Sequence, residues 1–136
     1  MATTAPKTGS LADLKIMIVE DQAEVRAMLR NMLVEIGINQ IFDAPDGRQA
    51  LTFIDSAPDL INTIICDWNM PAMNGIDLLR QVRSVYPDFP FLMLTGRADM
   101  NSVIEAKSCG VTAYMAKPFS PAQLEAKLRV IRQKMG

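Results

Sequence analysis

The chain of 136 residues contains no histidine and only two cysteines, Cys66 and Cys109. Without histidine, the protein cannot use an imidazole for acid–base catalysis or haem ligation, and it cannot build a zinc site with mixed cysteine and histidine ligands. Two thiols are too few for a zinc site with four cysteine ligands, and they do not indicate a disulfide framework. We therefore expect a protein of a reducing compartment, the cytoplasm.

Long apolar runs and an excess of one charge are missing as well. The longest apolar runs have the length of strands and are far shorter than a membrane span. The segment from Met1 to Asp13 lacks the apolar core of a secretory signal. Lys and Arg number 14 against 15 Asp and Glu, for a net charge of -1, so no basic field would hold nucleic acid. We therefore expect no membrane partner and no nucleic-acid partner.

The composition is that of an ordinary globular domain, with 49% hydrophobic and 21% charged residues. A chain of this length predicts one domain. Residues 1–12 are rich in Thr, Ala, Pro, Gly and Ser and are expected to form a flexible lead-in, with the folded domain over 13–136.

After the lead-in, short apolar runs alternate with segments of helical periodicity. Strands are predicted over residues 15–19, 40–43, 63–66, 90–94 and 111–115. Helices are predicted between Asp21 as N-cap and Gly37, over 47–55, from 75 onward, over 99–107 and after Ser120. The apolar stripe of the first helix comprises Val25, Met28, Leu29, Met32, Leu33 and Ile36. These units predict an α/β fold: a doubly wound, five-stranded parallel sheet in a three-layer, flavodoxin-like (βα)5 sandwich.

Polar residues follow four of the five predicted strands. Glu20 and Asp21 come after the first strand, Asp67 ends the third, Thr95 ends the fourth, and Lys117 follows the fifth. The carboxyl ends of parallel strands share one edge of the sheet, where ligands bind near the topological switch point. We therefore expect three carboxylates, one ammonium group and one hydroxyl group to meet in one cleft.

Three crowded carboxylates repel each other. At an effective dielectric constant of about 20, each pair of charges about 4 Å apart costs on the order of 4 kcal/mol. Lys117 offsets only part of that repulsion, so the excess of acid predicts a bound Mg²⁺, which prefers carboxylates, water and phosphate oxygens. Because the cluster contains no His, Ser or Cys, Asp67 is the expected nucleophile, and its attack on a donor phosphorus would give an aspartyl phosphate.

These residues lie in motifs that resemble the receiver domain of two-component response regulators, in particular the single-domain chemotaxis type (CheY-like). The matching stretches are Ile18-Val19-Glu20-Asp21, Cys66-Asp67-Trp68-Asn69-Met70-Pro71, Met73-Asn74-Gly75, Leu94-Thr95-Gly96 and Tyr114-Met115-Ala116-Lys117-Pro118-Phe119. They occur in the order and spacing of that family and span nearly everything after the lead-in.

The resemblance implies a role for each residue of the expected cleft. Asp67 would accept phosphate from a partner histidine kinase or phosphotransfer protein. Asp21 would bind Mg²⁺ directly, Glu20 would bind it through water, and the backbone carbonyl of Asn69 would complete the protein ligands. Lys117 would pair first with the acceptor carboxylate and then with the phosphoryl group, and the bond from Lys117 to Pro118 is cis in relatives.

The resemblance also implies a conformational switch. Thr95 would bind a phosphoryl oxygen and draw its loop inward, and Tyr114 would turn from an outward to an inward rotamer. The face formed by helix 4, strand 5 and helix 5 would then dock a target or a second copy, so the protein is expected to be a monomer or a weak, phosphorylation-dependent dimer. No catalytic or DNA-binding output domain follows Met135 in this sequence, so we expect any signal to leave through protein contact.

Several residues near the expected site bear on the lifetime of the phosphoryl group. Asn69 and Gly96 are expected to modulate that lifetime, Gly96 because its small size leaves the group open to water. Arg97 stands where chemotaxis relatives often carry an acid; it either approaches the phosphoryl oxygens or remains a solvated loop residue. Trp68 is expected on the surface beside the site, where its fluorescence would report phosphorylation.

Three other functions remain open from the sequence. A haloacid-dehalogenase-type phosphatase also forms an aspartyl phosphate, but it needs an acid two residues after the nucleophile, where this chain has Asn69. A flavodoxin-like cofactor binder needs a phosphate-cradling loop after the first strand, where Glu20 and Asp21 would repel phosphate unless a metal intervenes. The third alternative is an interaction module that keeps the fold and does not use phosphorylation.

Overall fold

The computed structural model describes residues 10–96 and 100–135 of the chain. Ser10 caps a short 3₁₀ turn, Leu11–Asp13, and the side chain of Leu11 is buried. Arg132 of the last helix binds the Asp13 carboxylate at 3.0 Å. Leu11 therefore packs into the body of the fold, although the sequence assigned it to the lead-in. A flexible lead-in over residues 1–9 lies outside the described residues and stays a prediction.

Five parallel strands form one sheet, as predicted. They are β1 (Lys15–Val19), β2 (Gln40–Ala44), β3 (Thr63–Asp67), β4 (Phe91–Thr95) and β5 (Ala113–Ala116). Their order across the sheet is β2-β1-β3-β4-β5. Because the chain runs from β1 to one side and then returns to the other, the topological switch point lies between β1 and β3.

Five helices cover the two faces of this sheet. They are α1 (Ala23–Ile36), α2 (Gly47–Ser56), α3 (Gly75–Val85), α4 (Met100–Ser108) and α5 (Pro121–Lys134). One layer of the core joins α2, α3 and α4 to strand residues such as Met17 and Met93. The other joins α1 and α5 to Ile16 and Leu92, because successive strand side chains point to opposite faces. The doubly wound, three-layer sandwich is thus confirmed.

Short polar side chains start three of the helices at the predicted positions. Asp46, Asn74 and Ser120 each accept a hydrogen bond from the backbone N–H three residues further on, at the starts of α2, α3 and α5. Such bonds satisfy N–H groups that the helix itself leaves without partners. Gly37, with φ of 112°, ends α1 as predicted.

The start of α1 differs from the prediction. The N-cap residue is Gln22 rather than Asp21, and it makes no capping hydrogen bond through its side chain. The helix starts one residue later because the amide of Arg26 bonds to the Gln22 carbonyl at 3.0 Å. Asp21 is therefore available to the site described below. Met28, predicted to belong to the apolar stripe of α1, is 44% exposed, whereas Leu29 and Leu33 are buried.

Strand β5 begins at Ala113, two positions later than the predicted start at Val111. The Val111 amide donates to the Ala106 carbonyl at 3.1 Å and closes the end of α4. Gly110, with φ of 86°, makes the left-handed turn that this closure requires. None of the helices in the described part of the chain is long and apolar enough to span a membrane.

Candidate functional site

The register of the sheet brings the predicted site residues to one edge. Val19 pairs with Cys66 between β1 and β3, and Thr95 pairs with Ala116 between β4 and β5. Glu20, Asp67, Thr95 and Lys117 consequently end or follow four adjacent strands at their carboxyl ends. Glu20 and Asp67 lie on the two sides of the topological switch point, where ligands of such sheets bind.

Three carboxylates converge at this edge. Glu20, Asp21 and Asp67 each offer one carboxylate oxygen, and these oxygens all lie within 4.8 Å of one another. Glu20 is 1% exposed and Asp67 is 6% exposed, whereas Asp21 is open to solvent. The cluster is therefore buried on its inner side and accessible through Asp21. This convergence agrees with the arrangement expected from the strand ends.

Lys117 supplies a cation to the cluster. Its Nζ lies 2.8 Å from Oδ1 of Asp67 and 4.0 Å from Oε1 of Glu20. Its backbone amide donates to the Thr95 carbonyl at 2.8 Å, which continues the ladder between β4 and β5. The peptide bond between Lys117 and Pro118 is cis. One ammonium group therefore faces two buried carboxylates.

Glu20 is left with one unsatisfied oxygen. The Gln22 amide donates to its Oε2 at 3.0 Å, but its Oε1 is buried and has no hydrogen-bond partner among the described residues. Burial raises the pKa of Glu20 to about 7; Asp21 and Asp67 also raise this pKa, against the opposing effects of Gln22 and Lys117. A buried acceptor beside two other carboxylates is a costly arrangement that a bound cation would relieve.

The donor atoms suit a hard divalent cation. Carboxylate and carbonyl oxygens are the ligands preferred by Mg²⁺, and the cluster provides three carboxylates. The carbonyl of Asn69, two residues after Asp67, accepts no backbone hydrogen bond from the described residues. The unsatisfied Glu20 oxygen and this donor set together indicate that the residues fit Mg²⁺.

The backbone around Asp67 is held tightly. The amide of Trp68 donates to the Leu94 carbonyl, and the amide of Gly75 donates to the Trp68 carbonyl, both at 2.8 Å. A Cβ at Gly75 would lie 2.7 Å from the Asp67 carbonyl oxygen and 2.9 Å from Cα of Trp68. Only glycine lets the start of α3 approach Asp67 so closely. The sequence predicted that a helix starts at Gly75 but not this close contact.

Trp68 does not lie on the surface as predicted; it is 7% exposed. Its side chain packs in the core layer beneath α2, α3 and α4. It also lines a polar cleft between α3 and α4 together with Asn74, Arg80 and Glu105. The prediction of a surface position was wrong because a residue directly after a strand can still be covered when two helices flank the strand end.

The thiol beside Asp67 offers no competing nucleophile. Cys66 is fully buried, and its Sγ donates to the Asp67 carbonyl at 3.2 Å. Burial raises the pKa of this thiol, and the negative charges of Asp67 and Glu20 raise it further. Because the thiolate is the nucleophilic form of cysteine, a carboxylate remains the available nucleophile in this cluster.

The expected switch residues, Thr95 and Tyr114, lie on the neighbouring strands β4 and β5. Thr95 ends β4 and is 2% exposed. Tyr114 on β5 pairs in register with Met93 and packs, partly buried, on the core layer beneath α4. Met93 pairs with Tyr114 and lies two residues before Thr95. Because side chains two residues apart on a strand share a sheet face, the side chains of Thr95 and Tyr114 lie on the same face. Gly96 is exposed, with open space where a Cβ would lie. Arg97 lies outside the described residues.

One residue that contacts the cluster carries no motif in the sequence. Arg26, in the first turn of α1, donates from Nη1 to the backbone carbonyl of Glu20 at 2.7 Å. The local signal for this contact is only a cation one helical turn after the expected helix start. The loop conformation that turns the carbonyl toward it could not be predicted from that spacing.

Comparisons with known proteins agree with this geometry. Residues 16–129 match the sequence model of the response regulator receiver domain. Chemotaxis protein CheY-3 of Vibrio cholerae is 37% identical over 125 residues, which cover 90% of this chain and 95% of that protein. Chemotaxis protein CheY1 of Helicobacter pylori is 36% identical over 120 residues, covering 87% of this chain and 96% of that protein.

Solved structures are similar over most of their length as well. Vibrio cholerae chemotaxis protein CheY4 superposes with a TM-score of 0.78 at 34% sequence identity, covering 87% of this chain and 98% of that one. The receiver domain of the Francisella response regulator 1452 has a TM-score of 0.82 at 26% identity, covering 91% of this chain and 100% of that one. With both the sequence model and the folds matched across nearly the whole chain, this protein belongs to the response regulator receiver domain family.

Proposed function

We propose that Asp67 accepts a phosphoryl group in a reaction that requires Mg²⁺, and that the modified carboxylate switches the protein's affinity for a target. Receiver domains are signalling switches that bind Mg²⁺ at an acidic pocket and receive phosphate from a histidine kinase or phosphotransfer partner. The observation that carries the proposal is the convergence of Glu20, Asp21 and Asp67 within 4.8 Å of one another, with Lys117 2.8 Å from Asp67.

Glu20, Asp21, Asp67 and the backbone carbonyl of Asn69 would hold the metal ion. When bound, Mg²⁺ supplies positive charge that offsets the carboxylates and the phosphoryl oxygens. The buried Oε1 of Glu20 supports this assignment, because no described residue donates a hydrogen bond to that atom and the Lys117 ammonium group lies 4.0 Å away.

The side chains perform the transfer by position and charge. A carboxylate oxygen of Asp67 attacks the phosphorus of a donor phosphohistidine; an O–P bond forms, the P–N bond breaks, and the electron pair leaves with the imidazole nitrogen. Lys117, which pairs with Asp67 at 2.8 Å, neutralises charge on the transferred group. Water later cleaves the aspartyl phosphate and restores Asp67. The protein thus catalyses only its own phosphorylation and dephosphorylation.

The switch depends on Thr95 and on the small size of the buried side chains of α4. A phosphoryl group brings a charge of about -2 and strong acceptor oxygens, which Thr95 would bind. Among the side chains of α4, the buried ones are Ser102 and Ala106, both small, so a shift of this helix disturbs little apolar packing. Tyr114, on the same sheet face as Thr95, would follow the movement.

The response would be read on the face formed by α4, β5 and α5. Met100 is 74% exposed and Ile104 is 56% exposed on α4, so apolar side chains are available to a protein target there. The same face would also serve a weak dimer that depends on phosphorylation. The named relatives are chemotaxis proteins, which makes a chemotaxis pathway the first to examine.

We also propose which residues set the lifetime of the aspartyl phosphate and in which compartment the protein works. Asn69 and Gly96 would tune the lifetime of the aspartyl phosphate, as would Arg97, which lies outside the described residues. Cys66 and Cys109 are free thiols, which suits a reducing compartment such as the cytoplasm.

Intact-mass measurement after incubation with acetyl phosphate and Mg²⁺ tests the proposal. We expect the wild type to gain one phosphoryl group, the gain to be lost in Asp67→Asn and in EDTA, and Asp77→Asn, at an exposed aspartate, to behave as wild type. No gain in any sample would contradict the proposal and favour an interaction module without phosphorylation. Sustained release of phosphate from small phosphate esters would favour a phosphatase, and a yellow protein would favour a flavin binder.

A further inference from the structure

The side chain of Arg26, near the start of α1, contacts the acidic loop, which is the segment of residues 20–22 between β1 and α1. Its Nη1 lies 2.7 Å from the carbonyl oxygen of Glu20, and the side chain is half-buried. We infer that Arg26 is a positioning residue for the metal site, which holds this carbonyl so that the carboxylates of Glu20 and Asp21 face the same point. The inference rests on the proposed function, because it assigns Arg26 to the Mg²⁺ site proposed above.

The bond acts on two carboxylate residues at once. The carbonyl of Glu20 and the amide of Asp21 belong to one planar peptide unit. Holding the oxygen of that unit restricts the backbone rotation of Glu20 on one side and of Asp21 on the other. Asp21 is exposed and belongs to no helix or strand, so this restraint limits where its carboxylate can go.

The other hydrogen-bonding groups of Glu20 are already engaged. Its amide donates to the Ala44 carbonyl at 3.1 Å, and its Oε2 accepts from the Gln22 amide at 3.0 Å. Among the described residues, only Oε1 is left without a hydrogen-bond partner, and it lies 4.0 Å from Nζ of Lys117. Because Arg26 donates to the Glu20 carbonyl, every polar atom of Glu20 other than Oε1 has a hydrogen-bond partner. Within the described part of the chain, only Oε1 is left to bind a cation at the cluster.

Charge and position predict opposite effects when Arg26 is replaced. If the guanidinium acted only through its positive charge, its removal would leave the acidic cluster more attractive to a divalent cation, and Mg²⁺ would bind more tightly. If Arg26 acts by holding the loop, its removal lets the carboxylates separate, and Mg²⁺ binds more weakly. The direction of the change therefore distinguishes the two roles.

Arg30 provides a matched control on the same helix. It lies one turn after Arg26, is also half-buried, and donates to the Ile41 carbonyl at 3.3 Å and to Asp43 at 2.8 Å. These partners belong to β2 and not to the acidic cluster. Replacing Arg30 removes a comparable contact between helix and strand while leaving the metal site untouched.

Calorimetric titration with Mg²⁺ tests the inference on wild type, Arg26→Met and Arg30→Met. We expect the Kd of Arg26→Met to rise about tenfold, within the range for groups that orient metal ligands, and that of Arg30→Met to stay within about twofold. Melting temperatures in EDTA should fall by similar amounts in both variants, which separates metal affinity from folding. If Arg26→Met does not fold, Arg26→Gln replaces it, with the same expected direction.

Each result decides between the roles. A weaker affinity confined to Arg26→Met supports positioning. An unchanged or tighter affinity in Arg26→Met, with normal binding by wild type, overturns this inference alone. A wild type that binds no Mg²⁺ overturns the proposed metal site and this inference together.

Discussion

The ammonium nitrogen of Lys117 lies 2.8 Å from Oδ1 of Asp67, although β4 separates the strands from which the two residues come. Lys117 follows β5, and its side chain extends past the end of β4 to reach the carboxylate of Asp67, the last residue of β3. The hydrogen bond from the Lys117 amide to the Thr95 carbonyl holds the backbone of Lys117 in place, so that its side chain can extend to Asp67. The pair therefore forms only when three strands end in register.

Replacement of Lys117 by methionine should separate phosphoryl transfer from metal binding. We expect phosphoryl uptake from acetyl phosphate to fall by about 100-fold, because one group that stabilises developing charge is lost. Binding of Mg²⁺ should persist or tighten, because a competing cation leaves the cluster. Intact-mass kinetics and calorimetry measure the two effects. Lys107→Met, at an exposed lysine of α4, is the control; equal uptake by both variants would contradict the prediction.

Replacement of Glu20 by glutamine should change how stability depends on pH. The pKa of Glu20 rises from its ordinary value of 4.5 to about 7 in the folded protein. Between these values, the folded carboxyl keeps a proton that the unfolded chain has lost, so wild-type stability falls as the pH rises through this window. Glu20→Gln removes that loss, and its advantage over wild type should grow between pH 4.5 and 7 to on the order of 3 kcal/mol.

Urea unfolding in EDTA at several pH values measures this difference. Glu24→Gln, at an exposed glutamate in the first turn of α1, is the control and should follow the wild-type curve. Parallel curves for wild type and Glu20→Gln would show that Glu20 titrates alike in the folded and unfolded states.

Replacement of Gly75 by alanine should displace the acceptor residue. The added Cβ would lie 2.7 Å from the Asp67 carbonyl oxygen and 2.9 Å from Cα of Trp68, and these backbone atoms cannot move independently. We expect a loss of about 3 kcal/mol in the free energy of unfolding, as for an overpacked core. At temperatures where the variant is folded, phosphoryl uptake should also fall.

Two other glycines serve as controls for Gly75→Ala. A Cβ at Gly47 would meet Sδ of Met73 at 2.8 Å, and this flexible side-chain end can move away, so Gly47→Ala should leave phosphoryl uptake near the wild-type rate. Gly96→Ala meets no atom within 4 Å and should not change stability. If phosphoryl uptake by Gly47→Ala were as slow as uptake by Gly75→Ala, the rate would depend on packing in general and not on the position of Asp67.

Replacement of Ala72 by glycine should stabilise the loop after β3. Ala72 has φ of 69°, and the Met73 amide bonds to the Pro71 carbonyl at 2.8 Å, which makes a tight three-residue turn. A side chain in this conformation costs about 1 kcal/mol, so Ala72→Gly should raise the free energy of unfolding by about that amount. Gly37→Ala, at φ of 112°, should lower it. Urea unfolding measures both; a loss of stability in Ala72→Gly would contradict the prediction.

The site was predictable to the extent that it depends on strand ends. Glu20, Asp67 and Thr95 each stand where an apolar run stops, and parallel strands end at a common edge, so their convergence followed from the sequence pattern. The N-cap assignment of Asp21 failed because short polar residues suit both caps and ligand sites, and local pattern does not distinguish them. Whether Trp68 is covered depends on how α3 and α4 lie across it, which no local signal encodes.

Local periodicity determined the alternation of strands and helices, because side chains repeat every two residues in a strand and every 3.6 in a helix whatever the rest of the chain does. It also determined which chemical groups stand at the strand ends. Only the tertiary structure decided the strand order that carries Lys117 past β4 to Asp67, and the loop path that turns the Glu20 carbonyl toward Arg26. Those contacts join residues whose approach depends on the packing of the whole sheet and its helices.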